Sequence, residues 1–225
     1  VLVGAEALVR WFHEQKGFIS PGQFIPALEK GGYISELDRY MIEKVTGCLD
    51  QRRAEKKRFV PVSVNLSWMD FYDENMLEWI VRGLKKNNPN EQKIRFEITE
   101  TSLAAIGENH TRMLMHLKEN GAEILLDDFG SGYSSFGMLQ DYDFDILKID
   151  ISFVRNIGVN KKSESILRAI IDMAHQLGIR LVAEGAETEE QVAFLRANGC
   201  EYIQGYYYYK PMPEAEFLQL LEEGK

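Results

Sequence analysis

Cysteine is scarce. Cys48 and Cys200 are the only two in 225 residues, too few to staple a chain of this length, and they fit a reducing compartment. Long apolar runs are missing as well: none approaches the ~20 residues that a membrane-spanning helix needs. Positive charge is in deficit, with 26 Lys and Arg against 35 Asp and Glu and a net charge of −9. That balance excludes a binder of duplex nucleic acid, whose affinity rests on Lys and Arg neutralising phosphates. Linkers, low-complexity tracts and breaks in composition are absent, so residues 1–225 read as a single domain. An initial Met is lacking too; the chain opens Val1-Leu2-Val3, as though inside something longer. What is present is core-forming material: 45% hydrophobic residues, among them 12 Phe, 10 Tyr and 3 Trp, well outside the disordered range.

Short runs rich in Val, Ile, Leu and Phe recur at 3–11, 59–67, 94–99, 123–128, 145–150, 179–184 and 202–206, the pattern of strands buried on both faces. Helical periodicity lies between them, over 34–55, 76–86, 106–118, 163–177, 188–198 and 213–222. Thr188-Glu-Glu-Gln has the spacing of a capping box, and Pro213 opens the last helix. Gly121, Gly178 and Gly199 stand where a helix must stop before the next strand. Strand, helix, glycine, strand is the signature of parallel βα units. An open doubly wound sheet would announce itself with a Gly-rich phosphate loop after the first strand, and none is there. The expected fold is therefore α/β, a modified TIM-like (β/α)₈ barrel. Such a barrel has eight strands; with seven found, the first is expected to be absent from this chain.

Polar residues end nearly every strand: Glu6, Asn65, Glu97 with Glu100, Asp127-Asp128, Lys148 with Asp150, Glu184 with Glu187, and Gln204. A buried carboxylate must be paired, metal-bound or solvated, and in a barrel all C-terminal strand ends share the face that holds the site. Glu6, Asn65, Glu97 and Asp127 offer oxygen donors alone, which suits Mg²⁺ or Mn²⁺. The four histidines and two cysteines have no zinc spacing. Adjacent strand residues face opposite ways, so Asp127 and Asp128 reach one site only where the chain turns; DDFGSGYSS supplies that turn. Asp127 is then placed to bridge two metals and Asp128 to hold the second, an arrangement for in-line displacement at phosphorus. Lys148 can reach an attacking water or a phosphoryl oxygen. Taken singly, each acid is equally a helix cap or an ion-pair partner. Lys148 could simply neutralise an acidic rim, and Asp150 and Gln204 could serve backbone hydrogen bonds. The aromatic run 206–209 fits either packing or base stacking.

Glu6-Ala7-Leu8 followed by Val9-Arg10-Trp11 resembles the signature of the EAL-domain cyclic di-GMP phosphodiesterases. The resemblance continues in order through Pro21, Phe24-Ile25-Pro26 and Glu29, Val64-Asn65-Leu66-Ser67, Glu97-Ile98-Thr99-Glu100, the DDFGSGYSS segment 127–135, Leu147-Lys148-Ile149-Asp150, Ala183-Glu184-Gly185-Ala186-Glu187-Thr188, Gln204-Gly205-Tyr206 and Lys210-Pro211. It implies a modified barrel that hydrolyses one phosphodiester bond of cyclic di-GMP to give linear pGpG, with two Mg²⁺ or Mn²⁺ ions per site and inhibition by Ca²⁺. Glu6, Asn65, Glu97 and Asp127 are similar to the ligands of the first metal, and Asp127 and Asp128 to those of the second, with Glu184 close by. Lys148 resembles the lysine that orients the nucleophilic water. Glu100 resembles the glutamate that anchors the DDFGSG loop, a loop that in the family also couples dimerisation to activity. Glu187 and Gln204 resemble supports of the site and its water. Leu8 and Arg10 resemble substrate contacts, with Asp150 a further one on the substrate side.

The resemblance further implies a homodimer and a covalently linked sensory or GGDEF-type domain. It places the domain in the cytoplasm, within a protein that can itself be membrane-attached. Ser131 stands where the family commonly has Thr, and Ala186 where it has Val. The helix and strand with a Gln-Pro that precede the EAL strand in the family have no counterpart here. Every acidic ligand position is filled, which favours an active enzyme; the alternative is a weak or inactive cyclic di-GMP receptor. An unrelated metal-dependent phosphodiesterase on the same barrel is a third reading.

Overall fold

The computed structural model describes residues 1–86, 94–106, 111–132 and 135–224. Its elements begin with β1 (Ala5–Glu6), β2 (Trp11–His13), β3 (Gly17–Ile19), α1 (Pro21–Gly31), α2 (Ile34–Ala54) and β4 (Val62–Asn65), followed by a 3₁₀ helix (Trp68–Tyr72) and α3 (Glu74–Lys86). Next come β5 (Ile94–Thr99), α4 (Glu100–Ile106), α5 (Thr111–Glu119), β6 (Glu123–Phe129), α6 (Ser135–Asp141), β7 (Ile146–Ile149) and α7 (Ile151–Arg155). The chain ends with α8 (Lys161–Leu177), β8 (Arg180–Ala183), α9 (Glu189–Ala197), β9 (Tyr202–Ile203) and α10 (Glu214–Glu222). The strand order is β1-β4-β5-β6-β7-β8-β9 in a seven-stranded sheet, with β2 and β3 forming a separate antiparallel hairpin.

Residues 1–97, 108–122 and 212–225 form one compact unit, and residues 98–107 and 123–211 a second; β5 runs from one into the other. In the first unit β1, β4 and β5 pair in parallel, with Ala5 opposite Val62 and Asn65 opposite Glu97. The Arg52 side chain is buried there: its Nε donates to the Arg58 carbonyl at 2.7 Å, and its Nη2 meets Glu222 of α10 at 2.9 Å. In the second unit β6, β7, β8 and β9 run parallel. All four residues of β7 are buried, as a strand covered on both faces must be.

Local chemistry sets the element ends. Asn160 caps α8 by accepting from the Lys162 and Ser163 N–H groups. Its apolar stripe, Leu167, Ile170, Ile171 and Ala174, is buried, at the spacing of one helix face. Gly178 then closes the helix at φ 71°. Thr188 and Gln191 form the expected capping box at α9, and Gly121 and Gly199 take positive φ after α5 and α9. All seven expected strands are present; β5 has the expected bounds, β6 runs one residue longer, and the other five are shorter. The 3–11 run proves to be two pieces, β1 and β2, because residues 7–10 leave the sheet. The β2–β3 hairpin, α1, α4, α6, α7 and the 3₁₀ helix are additions to the sequence reading. Of the helix expected at 106–118, residues 107–110 lie outside the described residues, as do Tyr133 and Ser134 of the DDFGSGYSS segment.

Candidate active site

In the second unit, the end of β6 brings its two acids together by a device the sequence reading did not foresee. The strand does not stop at Asp128; it continues to Phe129, and its register against β7 shifts between Leu126 and Phe129. Asp128 sits at the irregularity with φ 56°, the left-handed conformation that Asp tolerates better than most residues. A bulge of this kind re-aims a side chain out of strict alternation. The Asp128 N–H donates to Asp127 Oδ1 at 2.9 Å. Ligand oxygens of Asp127, Asp128 and Glu184, the last immediately after β8, all lie within 4.8 Å of one another.

Lys148 of β7 is 2% exposed, and its ammonium reaches Glu184 Oε1 at 2.7 Å and Asp127 Oδ1 at 3.1 Å. Register explains the convergence. Leu126 stands opposite Leu147, and Lys148 stands opposite Val182, so the site residues fall on neighbouring strands near their C-terminal ends. Three carboxylates around one ammonium leave a net charge of −2 when all are ionised. A half-buried cluster of that charge is stabilised by a divalent cation, and oxygen donors are those that Mg²⁺ and Mn²⁺ prefer.

Glu100, buried at the start of α4, accepts from the Gly130 and Gly132 N–H groups at 3.2 and 3.4 Å through Oε2. Gly130 has φ 92°, and a Cβ there would come within 2.5 Å of the Phe153 ring. The turn after Asp128 is thus pinned by a carboxylate on one side and packed against an aromatic ring on the other. Asp150 caps α7, accepting from the Ser152 N–H. Glu187 is exposed, and its N–H donates to Gln191 Oε1 at 2.7 Å, shared with the Thr188 N–H at 3.0 Å. Gln204 ties the β9 end to the segment that follows β8, through its N–H to the Ala183 carbonyl and its carbonyl from the Ala186 N–H. The four tyrosines 206–209 are exposed; Lys210 lies over the Tyr206 ring, and Tyr208 accepts from Arg196.

In the first unit, Glu6 pairs in register with Ser63, and Asn65 with Glu97. Register partners share a face of the sheet, as do positions two apart along a strand, so Glu6, Asn65 and Glu97 line one face of β1, β4 and β5. Glu97 is buried and Asn65 exposed. Leu8 and Arg10 are exposed in the segment after β1, and Arg10 Nη1 donates to the Val9 carbonyl. Sequence reasoning missed the bulge at Asp128 and the Gln191 anchor. The capping-box spacing at Thr188 held the signal for the second.

The family model of the EAL domain matches residues 1–211. The chain belongs to the EAL-domain family. This EAL domain is 34% identical over 216 residues to cyclic di-GMP phosphodiesterase NbdA of Pseudomonas aeruginosa, covering 96% of the chain and 28% of that protein. It is 33% identical over 220 residues to the probable cyclic di-GMP phosphodiesterase PdeG of Escherichia coli, covering 98% of the chain and 43% of the relative. The bifunctional diguanylate cyclase/cyclic di-GMP phosphodiesterase MucR of P. aeruginosa is 32% identical over 221 residues, covering 96% of the chain and 32% of that protein. The chain spans less than half the length of these relatives.

Among solved structures, the MucR phosphodiesterase in complex with c-di-GMP superposes with a TM-score of 0.82 at 32% identity, over 94% of this chain and 86% of that one. An EAL domain protein from Listeria monocytogenes gives 0.84 at 28% identity, over 97% and 85%. The α/β fold of parallel strands and helices is thus the TIM-like architecture of the EAL domains. Among the described residues, no helix is long and apolar enough to cross a membrane.

Proposed function

We propose that this EAL domain hydrolyses one phosphodiester bond of cyclic di-GMP to give linear pGpG. The observation that carries the reading is Lys148, buried and held between Asp127 and Glu184 beside Asp128. Asp127, Asp128 and Glu184 would hold divalent cations, Mg²⁺ or Mn²⁺, and their oxygen donors and net charge fit such ions. Glu6, Asn65 and Glu97 are proposed as further ligands on their sequence pattern. When bound, the metal supplies positive charge to phosphoryl oxygens and lowers the pKa of a coordinated water.

The chain's own groups do the rest. Lys148 is a fixed ammonium that hydrogen-bonds an attacking water or a developing phosphoryl oxyanion, and fixed charge is worth more in a buried site than in water. Glu184 and Asp127 hold that ammonium in place. Glu100 keeps the turn after Asp128 in one conformation. Leu8, Arg10 and Asp150 are proposed on the substrate side, with Arg10 directed to a phosphate, and Glu187 and Gln204 as supports. The proposal extends to a homodimer and to a covalently linked sensory or GGDEF-type domain. The second extension is supported by the longer relatives, MucR among them.

The test is incubation of cyclic di-GMP with the protein and Mn²⁺ or Mg²⁺, with chromatographic separation of pGpG. Turnover in the wild type and its loss in Asp127→Asn and Glu6→Ala are expected. Folded wild-type protein that binds cyclic di-GMP but leaves it intact with both metals overturns the enzyme and leaves a receptor.

A further inference from the structure

The first unit holds another pair of buried acids, which the proposed reaction does not use. Asp38, in the second turn of α2, is 7% exposed, and Asp70, in the 3₁₀ helix, is fully buried. Both converge on one donor: the Ser67 N–H donates to Asp38 Oδ2 at 3.1 Å and to Asp70 Oδ2 at 2.9 Å. The two carboxyl groups are thereby gathered on a single N–H, and Asp70 Oδ1 is buried with no hydrogen-bond partner of its own; a proton on one carboxyl gives the other a donor to accept from. Two neighbouring buried carboxylates cannot both stay ionised.

Helix α2 packs against α1, β4 and the 3₁₀ helix. From these elements Asp70 is the charged group that acts on Asp38, opposed by hydrogen bonds from Ser67. Among the described residues, no cation pairs with either acid. Burial first, then the neighbouring Asp70 carboxyl, push Asp38 up to about 9.

We propose that Asp38 and Asp70 share a single proton and together hold the Ser67 amide, positioning the end of β4 two residues beyond Asn65. The ligand role of Asn65 rests on the function proposed above; the shared proton does not. Ser67 lies two residues after the strand, and the pair ties it to a helix 29 positions earlier in the chain. The end of β4 is therefore held by side chains as well as by the sheet.

The sign of the pH effect follows from the raised pKa. Folded Asp38 keeps its proton up to about pH 9, while the unfolded chain releases it near ~3.9. Its contribution to stability is complete below that lower value and is lost as pH rises towards about 9. Asp38→Asn can donate to Asp70 and accept from Ser67 without titrating.

Urea unfolding of wild type and D38N between about pH 5.5 and about pH 8.5 reads the difference directly. The unfolding constant of the wild type relative to D38N is expected to climb by about tenfold per pH unit; a ratio that stays flat overturns the shared proton. Hydrogen exchange of residues 62–72 tests the positioning. D38N keeps the wild-type protection and Asp38→Ala loses it locally; equal protection in D38A overturns the positioning role. If D38N does not fold, Asp70→Asn gives a second test. Removing the Asp70 charge should narrow the pH range over which stability falls, and an unchanged range overturns the pair. Neither measurement involves cyclic di-GMP or a metal, so absent turnover would strike the proposed function and leave this inference standing.

Discussion

A buried ammonium between two carboxylates is a coupled object, and removing one member changes the other two. Lys148→Met leaves Asp127 and Glu184 facing each other with Asp128 alongside. Breaking a buried pair this way costs about 3–5 kcal/mol. In chelator, K148M is therefore expected to unfold at lower urea than the wild type, and Mn²⁺ to recover much of the loss, because the cation takes the place of the missing charge. Hydrolysis of cyclic di-GMP by K148M falls by about 10²-fold or more. A variant that is equally stable in chelator and Mn²⁺ counts against a metal at these three acids.

The thiols make a second residue-scale case. Burial lifts Cys200 to about 11, and burial with Glu214 alongside lifts Cys48 to about 11, from 9.0. The folded thiols hold their protons longer than the unfolded ones, so their contribution to stability is lost above roughly pH 9. At pH near 8, alkylation of the native protein should run about a hundredfold slower than that of the unfolded chain. Equal rates would refute the shifts.

Elements were legible where their determinants are local. The α9 capping box is written in four consecutive residues, and Thr188 accepts from the Gln191 N–H while Gln191 returns the bond. Thr188→Ala should lower stability by about 1 kcal/mol and Thr188→Ser by much less, read as the shift in urea midpoint. The parallel strands were legible for the same reason, as short apolar runs bounded by glycine and an acid. The β2–β3 hairpin was not, because Trp11, Phe12 and Phe18 are largely exposed and show no alternation against a core. At the site, the residues were legible as polar groups ending apolar strands, while their convergence was only half so. Asp127 and Asp128 meet through a register shift inside β6, and a bulge depends on the partner strand, which no window of sequence contains. The Asp38–Asp70 pair was invisible for a related reason: Asp38 occupies a helix position that reads as a polar face, and what buries it comes from 29 and 32 residues further on.

At the scale of the whole molecule, a net charge of −9 sets two expectations for divalent cations that must be separated. Any cation relieves self-repulsion of an acidic surface, an effect that depends on ionic strength and not on one site. A specific site adds stabilisation through mass action, about 2.7 kcal/mol when free metal is a hundredfold above its Kd. For a chain of this size, that corresponds to roughly 5–10 °C in Tm. Wild-type protein at constant ionic strength is therefore expected to melt at higher temperature with Mn²⁺ than with chelator. In Asp128→Asn, which keeps a side chain suited to the left-handed backbone at φ 56°, most of the rise should vanish while the unligated fold remains. Substituting Asp50 or Glu78, exposed acids far in sequence from β6 and β8, should leave the rise intact, because generic screening does not depend on which surface acid is present. A rise that survives D128N but disappears as NaCl is added would assign the stabilisation to surface charge, and the cluster at Asp127, Asp128 and Glu184 would lose its claim to the metal.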